Sequence, residues 1–153
     1  MGAVADRLRE LGLQVPSRRS YGKYVGAVRS GDLVFVSGAG PGGEQGFITG
    51  KVGADVDIPT AQEGAKLCVL NCLSALQDEI GDLENVRQIV KLLGFVNSAP
   101  GFYQQHVVMD GASALLLELF GERGRHARSS IGVAELPMGI AVEVEMVVEA
   151  AAR

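Results

Sequence analysis

The C-terminal part of the chain alternates between apolar and mostly polar residues over ten positions, 140 to 149. The first set is Ile140, Val142, Val144, Met146 and Val148, and the second is Ala141, Glu143, Glu145, Val147 and Glu149. Successive side chains of a strand point to opposite sides of a sheet, so this period of two predicts a strand with one buried face and one more polar face. The chain must therefore build a sheet and cover one side of it.

Apolar runs next to glycine or turn residues predict further strands. They begin at Tyr24 (YVGAV), at Leu33 (LVFV) and at Val86, which opens the run to Val96. The glycine-rich segment 38–46 has no following Lys-Ser/Thr pair and precedes the strand-like FITGKV, so it does not match a phosphate loop. We expect a hairpin there, or a loop at the rim of a pocket.

Apolar residues at helical spacing predict three helices. The first covers residues 3–12 and precedes the main domain as an appendage. The second follows a Thr60-x-x-Glu63 capping box, and the third has Pro100 near its first turn. The glycines that end these helices are Gly12, Gly81 and Gly121.

The order of these elements predicts an α+β fold, with a mixed sheet and both longer helices on one face. We expect residues 1–22 to form the N-terminal helix and a connecting loop, and residues 23–153 to form a single domain. The other sheet face then needs cover. A composition that is 47% hydrophobic, with a mean hydropathy of +0.20, favours cover by partner subunits.

Charge and cysteine usage exclude several classes of protein. A net charge of −4 argues against nucleic-acid partners, and the basic group Arg18, Arg19 and Lys23 is typical of solvated charges. Cys68 and Cys72 lie four residues apart in one helix, where a disulfide would constrain almost nothing, so we expect buried thiols. With no export signal and no long apolar stretch, we expect a cytoplasmic protein without a membrane partner.

The segment 126–133 carries the best candidate binding residue. In a strand, His126, Arg128 and Ser130 would share one face. The planar guanidinium of Arg128 suits a carboxylate ligand, and the alternative is an ordinary strand arginine paired with an acid such as Glu143. The sequence has no nucleophile elbow and no metal-ligand spacing, so we expect neither a metal nor a cofactor.

Several motifs make the chain similar to a known family. Arg128-Ser129-Ser130, Leu136-Pro137 and Val142-Glu143-Val144-Glu145 resemble the C-terminal signature of the RidA/YjgF (L-PSP) family, R-S-x-V-x-V-x-x-L-P followed by I-E-I-E. Tyr24 and Val36-Ser37-Gly38 match other pocket segments of that family, and the resemblance covers residues 24 to 149. It implies a YjgF-like, chorismate-mutase-like fold and a homotrimer with clefts between subunits.

The resemblance also implies a site and a reaction. Arg128 would clamp the carboxylate of a small 2-imino or 2-enamino acid, and Glu143 would position the attacking water. The cleft would be lined by Tyr24 and Ser37 and completed by backbone groups near Gly38 and Ser130. Ammonia release to give a 2-keto acid would need no cofactor, since such substrates already hydrolyse spontaneously. A turn around Pro137 would let Arg128 and Glu143 approach each other.

Three departures from the family pattern lie near the expected cleft. His126 stands where Pro is common, Ser130 where Cys or Thr is common, and His106 where Asn is frequent. The two histidines would either change the polarity of the cleft, and so its substrate, or be surface and packing residues. The segments Asn97–Phe102 and Gly111–Ser113, with the N-terminal extension, indicate a longer branch of the family.

Three functions therefore stay open. The first is an imine and enamine deaminase, and the second is a non-catalytic trimer that binds or senses a keto or amino acid through Arg128. The third is the endoribonuclease or translation-inhibitor role attached to family names, which the acidic pI of about 5.2 argues against.

Overall fold

The computed structural model of the chain describes residues 2–17 and 22–152. Its helices are α1 (Ala3–Glu10), α2 (Ile58–Ile80) and α3 (Gln105–Phe120), with short 3-10 turns at Leu83–Asn85, Gly121–Gly124 and Pro137–Gly139. Its strands are β1 (Ala27–Ser30), β2 (Leu33–Ala39), β3 (Gly42–Gly43), β4 (Gly46–Phe47), β5 (Val86–Asn97), β6 (Ala127–Val133) and β7 (Val142–Ala150). Of the basic group, Lys23 is exposed, whereas Arg18 and Arg19 lie outside the described residues.

The main sheet has five strands in the order β1-β2-β7-β5-β6. β5 and β6 are parallel and the other neighbours are antiparallel, so the sheet is mixed as expected. Burial alternates along the whole of β7, and α2 covers its apolar side, while α3 packs on β5 and β6. The α+β fold is confirmed, and so is the glycine-rich hairpin, which is formed by β3 and β4.

The start of α2 differs from the expected capping box. The cap is Asp57, whose Oδ1 accepts a hydrogen bond from the backbone N–H of Thr60 at 2.9 Å. Pro59 fits the first turn of a helix, where no N–H is needed, so the helix starts early enough to include Thr60. The side-chain and backbone hydrogen bonds with Thr60 hold the pKa of Asp57 below its usual value. Glu63 pairs instead with Lys66, at 2.6 Å.

The start of α3 also differs, because Pro100 does not lie in its first turn. Pro100 and Gly101 are the central residues of a turn closed by a hydrogen bond from Phe102 N–H to Ala99 O at 3.1 Å. Gly101 has φ +80, which a helix cannot accommodate, so α3 begins only at Gln105. The end at Gly121, with φ +58, is as expected.

The N-terminal helix packs into the domain, so the expectation of an appendage was wrong. Val4 and Leu8 belong to the same buried core as the sheet and the longer helices. The backbone N–H of Val4 also donates to Glu84 Oε1 at 2.5 Å, which satisfies one of the unpaired donors at the helix start. Gly12, with φ +67, directly follows the capping residue Leu11.

Close packing of both longer helices on the sheet fixes the position of the candidate site. The free thiols of Cys68 and Cys72 are buried as expected, within 3.7 and 3.2 Å of the carbonyl oxygens of Val142 and Val144. On α3, Met109 lies directly above Gly94 of β5, where there is no Cβ to hold the helix away. None of the helices in the described part of the chain has the length and apolarity that a membrane crossing requires.

Candidate functional site

Strand β6 forms one edge of the sheet and carries Arg128 toward α3. Arg128 is in register with Leu92, which is fully buried beneath the helices, and Ser130 is in register with Gly94. His126 precedes the strand and turns its ring to the same side. The three residues expected to share a face therefore do so, on the helix side of the sheet.

The guanidinium of Arg128 is held by one face of α3. Nη1 donates to Asp110 Oδ1 at 2.9 Å and to Ser113 Oγ at 3.1 Å, and Nη2 donates to the backbone oxygen of His106 at 3.2 Å. These three positions are spaced i, i+4 and i+7, so they form a stripe along the helix. The carboxylate partner of Arg128 is thus Asp110, not Glu143.

His126 supports this arrangement from behind. Its Nδ1 lies 2.7 Å from the carbonyl oxygen of Gly124, and its Nε2 lies 2.9 Å from Ser113 Oγ. A carbonyl only accepts, so Nδ1 carries a proton, and in the tautomer with the proton on Nδ1 alone, Nε2 accepts from the Ser113 hydroxyl. The Ser113 oxygen is then oriented to accept from Arg128. His106 differs, because it contributes its backbone carbonyl and its residue is exposed.

A small cavity adjoins this network. It has a volume of about 250 Å³, and its lining residues are Ser113, Leu117, Arg125, His126 and Arg128. Nearby, the Ser130 hydroxyl is buried without a hydrogen-bond partner among the described residues. Ser130 does not line this cavity, so its hydroxyl is not presented to a ligand there.

The other expected site residues form a second group around β2 and β7. A Cβ on Gly38 would lie 2.8 Å from Glu143 Oε1, so only glycine leaves room for that carboxylate. The Ser37 hydroxyl donates to Val25 O at 2.8 Å, next to Tyr24. Tyr24 is 51% exposed and precedes β1, which begins three residues later than expected.

The two groups are separate within one chain. β5 lies between β6 and β7, so the turn around Pro137 does not join neighbouring strands. Arg128 is in register with Leu92, whereas Glu143 is in register with Phe95, three residues further along β5. Residues at an odd spacing point to opposite faces. The expected approach of Arg128 and Glu143 therefore does not occur in a single chain.

Asp110 and Ser113 are the members of the site that the sequence reasoning missed. Their signal was the polar stripe that they form with His106 on an otherwise apolar helix. The stripe matters only if it faces β6, and the spacing of its residues does not show which side of α3 faces that strand.

A larger cleft lies elsewhere and contains none of the expected site residues. Its volume is about 820 Å³, and it lies between the start of α2, around Asp57, and the segment that contains Phe102 and Gln104. No group of three His, Cys, Asp or Glu residues suited to a metal ion occurs in residues 2–17 and 22–152. The expected site residues therefore favour the smaller cavity beside Arg128 as the ligand site.

Comparison with known proteins agrees with this arrangement of elements. Residues 5–149 match the family described as "YjgF/chorismate_mutase-like, putative endoribonuclease". Protein TCP17 of Trypanosoma cruzi is 44% identical over 97% of this chain and 94% of its own length. The chain belongs to the YjgF family.

Two solved structures have the same fold over nearly the whole chain. Atu1372 from Agrobacterium tumefaciens, a protein of unknown function, is 42% identical with a TM-score of 0.90, over 97% of this chain and 93% of that one. A Shewanella oneidensis protein that carries the same endoribonuclease description is 30% identical with a TM-score of 0.91, over 97% and 99%.

Proposed function

We propose that the protein hydrolyses reactive 2-imino and 2-enamino acids to 2-keto acids and ammonia, with the substrate carboxylate held by Arg128. The main support for this proposal is that the Arg128 guanidinium is mostly buried and held in place by hydrogen bonds. Its side chain is only 22% exposed, and its hydrogen bonds to α3 use three of its five N–H groups. Nε–H and one Nη2 N–H have no partner among the described residues, and such donors match the two oxygens of a carboxylate.

The fixed position of Arg128 favours binding. A long side chain that is already immobilised loses little conformational entropy when a ligand arrives. The substrates hydrolyse spontaneously, so orientation and a charged environment are sufficient to accelerate the reaction.

The complete site is proposed to form between copies of the chain in a homotrimer. The sheet face opposite the helices exposes apolar side chains, among them Val28, Phe35 and Ile131. An apolar patch of this kind is typical of an interface. Glu143 lies on that face, so a neighbouring copy could bring its Glu143, Gly38, Ser37 and Tyr24 to the edge strand that carries Arg128. Glu143 would then position the attacking water.

A second candidate is a trimer that binds keto or amino acids without turnover. The separation of Arg128 and Glu143 in one chain favours it, because the Arg128 network is complete without the carboxylate that would activate water. The endoribonuclease role is a weaker candidate, since a net charge of −4 offers little attraction for a phosphate backbone.

The test is ammonia and keto-acid release from freshly generated 2-aminoacrylate and bulkier imines. Wild type should accelerate release, whereas Arg128→Ala and Glu143→Ala should not, with folding and assembly checked by circular dichroism and size-exclusion chromatography. Arg87→Ala, which removes an exposed arginine of β5, is the matched control and should keep full activity. No acceleration by folded wild type across the panel would reject the deaminase and leave the binding protein.

A further inference from the structure

Asp110 places a negative charge beside the guanidinium proposed to hold the ligand. Its Oδ1 lies 2.9 Å from Arg128 Nη1, yet its side chain is 60% exposed, against 22% for Arg128. The carboxylate is therefore reachable from solvent while it contacts Arg128. Asp110 does not line the 250 Å³ cavity, so a ligand that meets both charges of the pair reaches Arg128 from the solvent.

Two groups besides Asp110 hold Arg128 in position. Ser113 Oγ and the His106 carbonyl hold the guanidinium from two other directions, and His126 orients Ser113. As an anchor for the guanidinium, Asp110 is one of three contacts. What Asp110 adds is charge, because it is the acid that pairs with Arg128 among the described residues.

The pair changes which anions the site attracts. Arg128 and Asp110 together are neutral, and Arg125, the other cation of the cavity lining, pairs with Glu122 at 3.5 Å. A simple carboxylate therefore gains attraction from Arg128 and repulsion from Asp110. A protonated imine or a 2-amino acid carries its cationic nitrogen on the carbon next to the carboxylate. The two charges of such a ligand are about as close together as the two charges of the protein, so each can face its opposite.

We infer that Asp110 makes the site selective for ligands with a cationic nitrogen next to the carboxylate, over 2-keto and 2-hydroxy acids of the same size. The inference rests on the proposed function only for the contact between Arg128 and the carboxylate. It applies equally to a deaminase and to a binding protein.

Selectivity of this kind would also separate substrate from product. In the proposed reaction, water adds to the carbon of the protonated C=N group, the C–N bond breaks, and ammonium leaves as the C=O group forms. The 2-keto acid retains the carboxylate but lacks the nitrogen that faces Asp110. The site would therefore hold the protonated imine more tightly than the product.

The experiment compares serine with glycerate, in which a hydroxyl replaces the ammonium group. Binding is measured by isothermal titration calorimetry with full-length wild type, Asp110→Asn and Arg128→Ala. Glu118→Gln, an exposed acid two turns further along α3, is the control for loss of one negative charge. Asp110→Asn keeps the size of the side chain and an oxygen for Arg128.

Wild type and the control should bind serine up to about fivefold more tightly than glycerate, as expected of one partly exposed ion pair, and Asp110→Asn should bring the ratio close to one. An unchanged ratio in Asp110→Asn would overturn the inference. So would tighter binding of both ligands, which would make Asp110 a competitor for Arg128. If Arg128→Ala binds both ligands as well as wild type, the carboxylate site itself is wrong, whatever Asp110 does.

Discussion

Replacing Gly94 with alanine tests how closely α3 packs on the sheet, and so the distance that gives Arg128 its partners. A Cβ at this position would lie 2.2 Å from Met109 Sδ and 2.5 Å from its Cγ. Met109 is fully buried, so its side chain can move away only by repacking the core or by shifting α3. Overpacking of this kind costs about 1–3 kcal/mol.

Part of that cost is offset by the unfolded state. Alanine has less backbone freedom than glycine in the unfolded chain, which stabilises the folded state by about 0.5–1 kcal/mol. We therefore expect Gly94→Ala to lower the free energy of unfolding by about 1–2 kcal/mol, and Tm by about 2–8 °C for a chain of this length. Met109→Ala in the same chain should relieve the clash, so the double variant should lose less than the sum of the two single variants.

Urea denaturation at one fixed protein concentration is the assay, since association would add to the apparent stability. Gly43→Ala is the control, because its Cβ would lie 3.4 Å from Leu67, an ordinary contact. A shift of α3 would also displace Asp110 and Ser113, so Gly94→Ala should weaken binding of serine. If Gly94→Ala is as stable as Gly43→Ala, then α3 does not pack as closely on β5 as described.

Two further predictions concern Gly38 and the cap of α2. Gly38→Ala should push the Glu143 carboxylate aside, since the new Cβ would lie 2.8 Å from Oε1. The displaced atoms are the end of a flexible side chain, so the free energy of unfolding should change by less than about 1 kcal/mol while ammonia release falls. Full activity of Gly38→Ala would show that the reaction does not need the Glu143 carboxylate in this position. Asp57→Ala should lower Tm at neutral pH, and Asp57→Asn, which keeps an acceptor for Thr60, should lower it less. The pKa of Asp57 is lowered in the folded state, so the stability from its charge is present above the unfolded pKa and is lost as pH falls through the folded value. Thermal unfolding should therefore show the difference in Tm between wild type and Asp57→Ala narrowing as pH falls below about 3.9, the ordinary pKa of Asp, and a constant difference would contradict the charged cap.

Local patterns predicted much of the fold because their causes are local. The alternation from Ile140 to Val148 follows from the geometry of a strand, and Gly81 ends α2 because glycine adopts the positive φ required there. The start of α2 was ambiguous, since Asp57 and Thr60 are both good caps. Pro59 decides between them, because it belongs in the first turn.

The candidate site was harder to predict because it depends on strand order. The resemblance to a family pointed to Arg128 and Glu143, and both lie at the sheet, but the pairing of β5 with β7 and β6 separates them. No local pattern encodes that order. Asp110 was missed for a related reason, since its contact with Arg128 spans 18 residues and requires α3 to face β6.

The proposed catalytic site is built from Arg128 of one copy and Glu143 of another. Ammonia release by mixed oligomers of Arg128→Ala and Glu143→Ala chains tests it most directly. Each variant alone should be inactive, and co-assembly in equal amounts should restore about one quarter of the wild-type rate, since about one in four interfaces of a cyclic trimer pairs two intact residues. No recovery in oligomers shown to contain both chains would contradict the shared site.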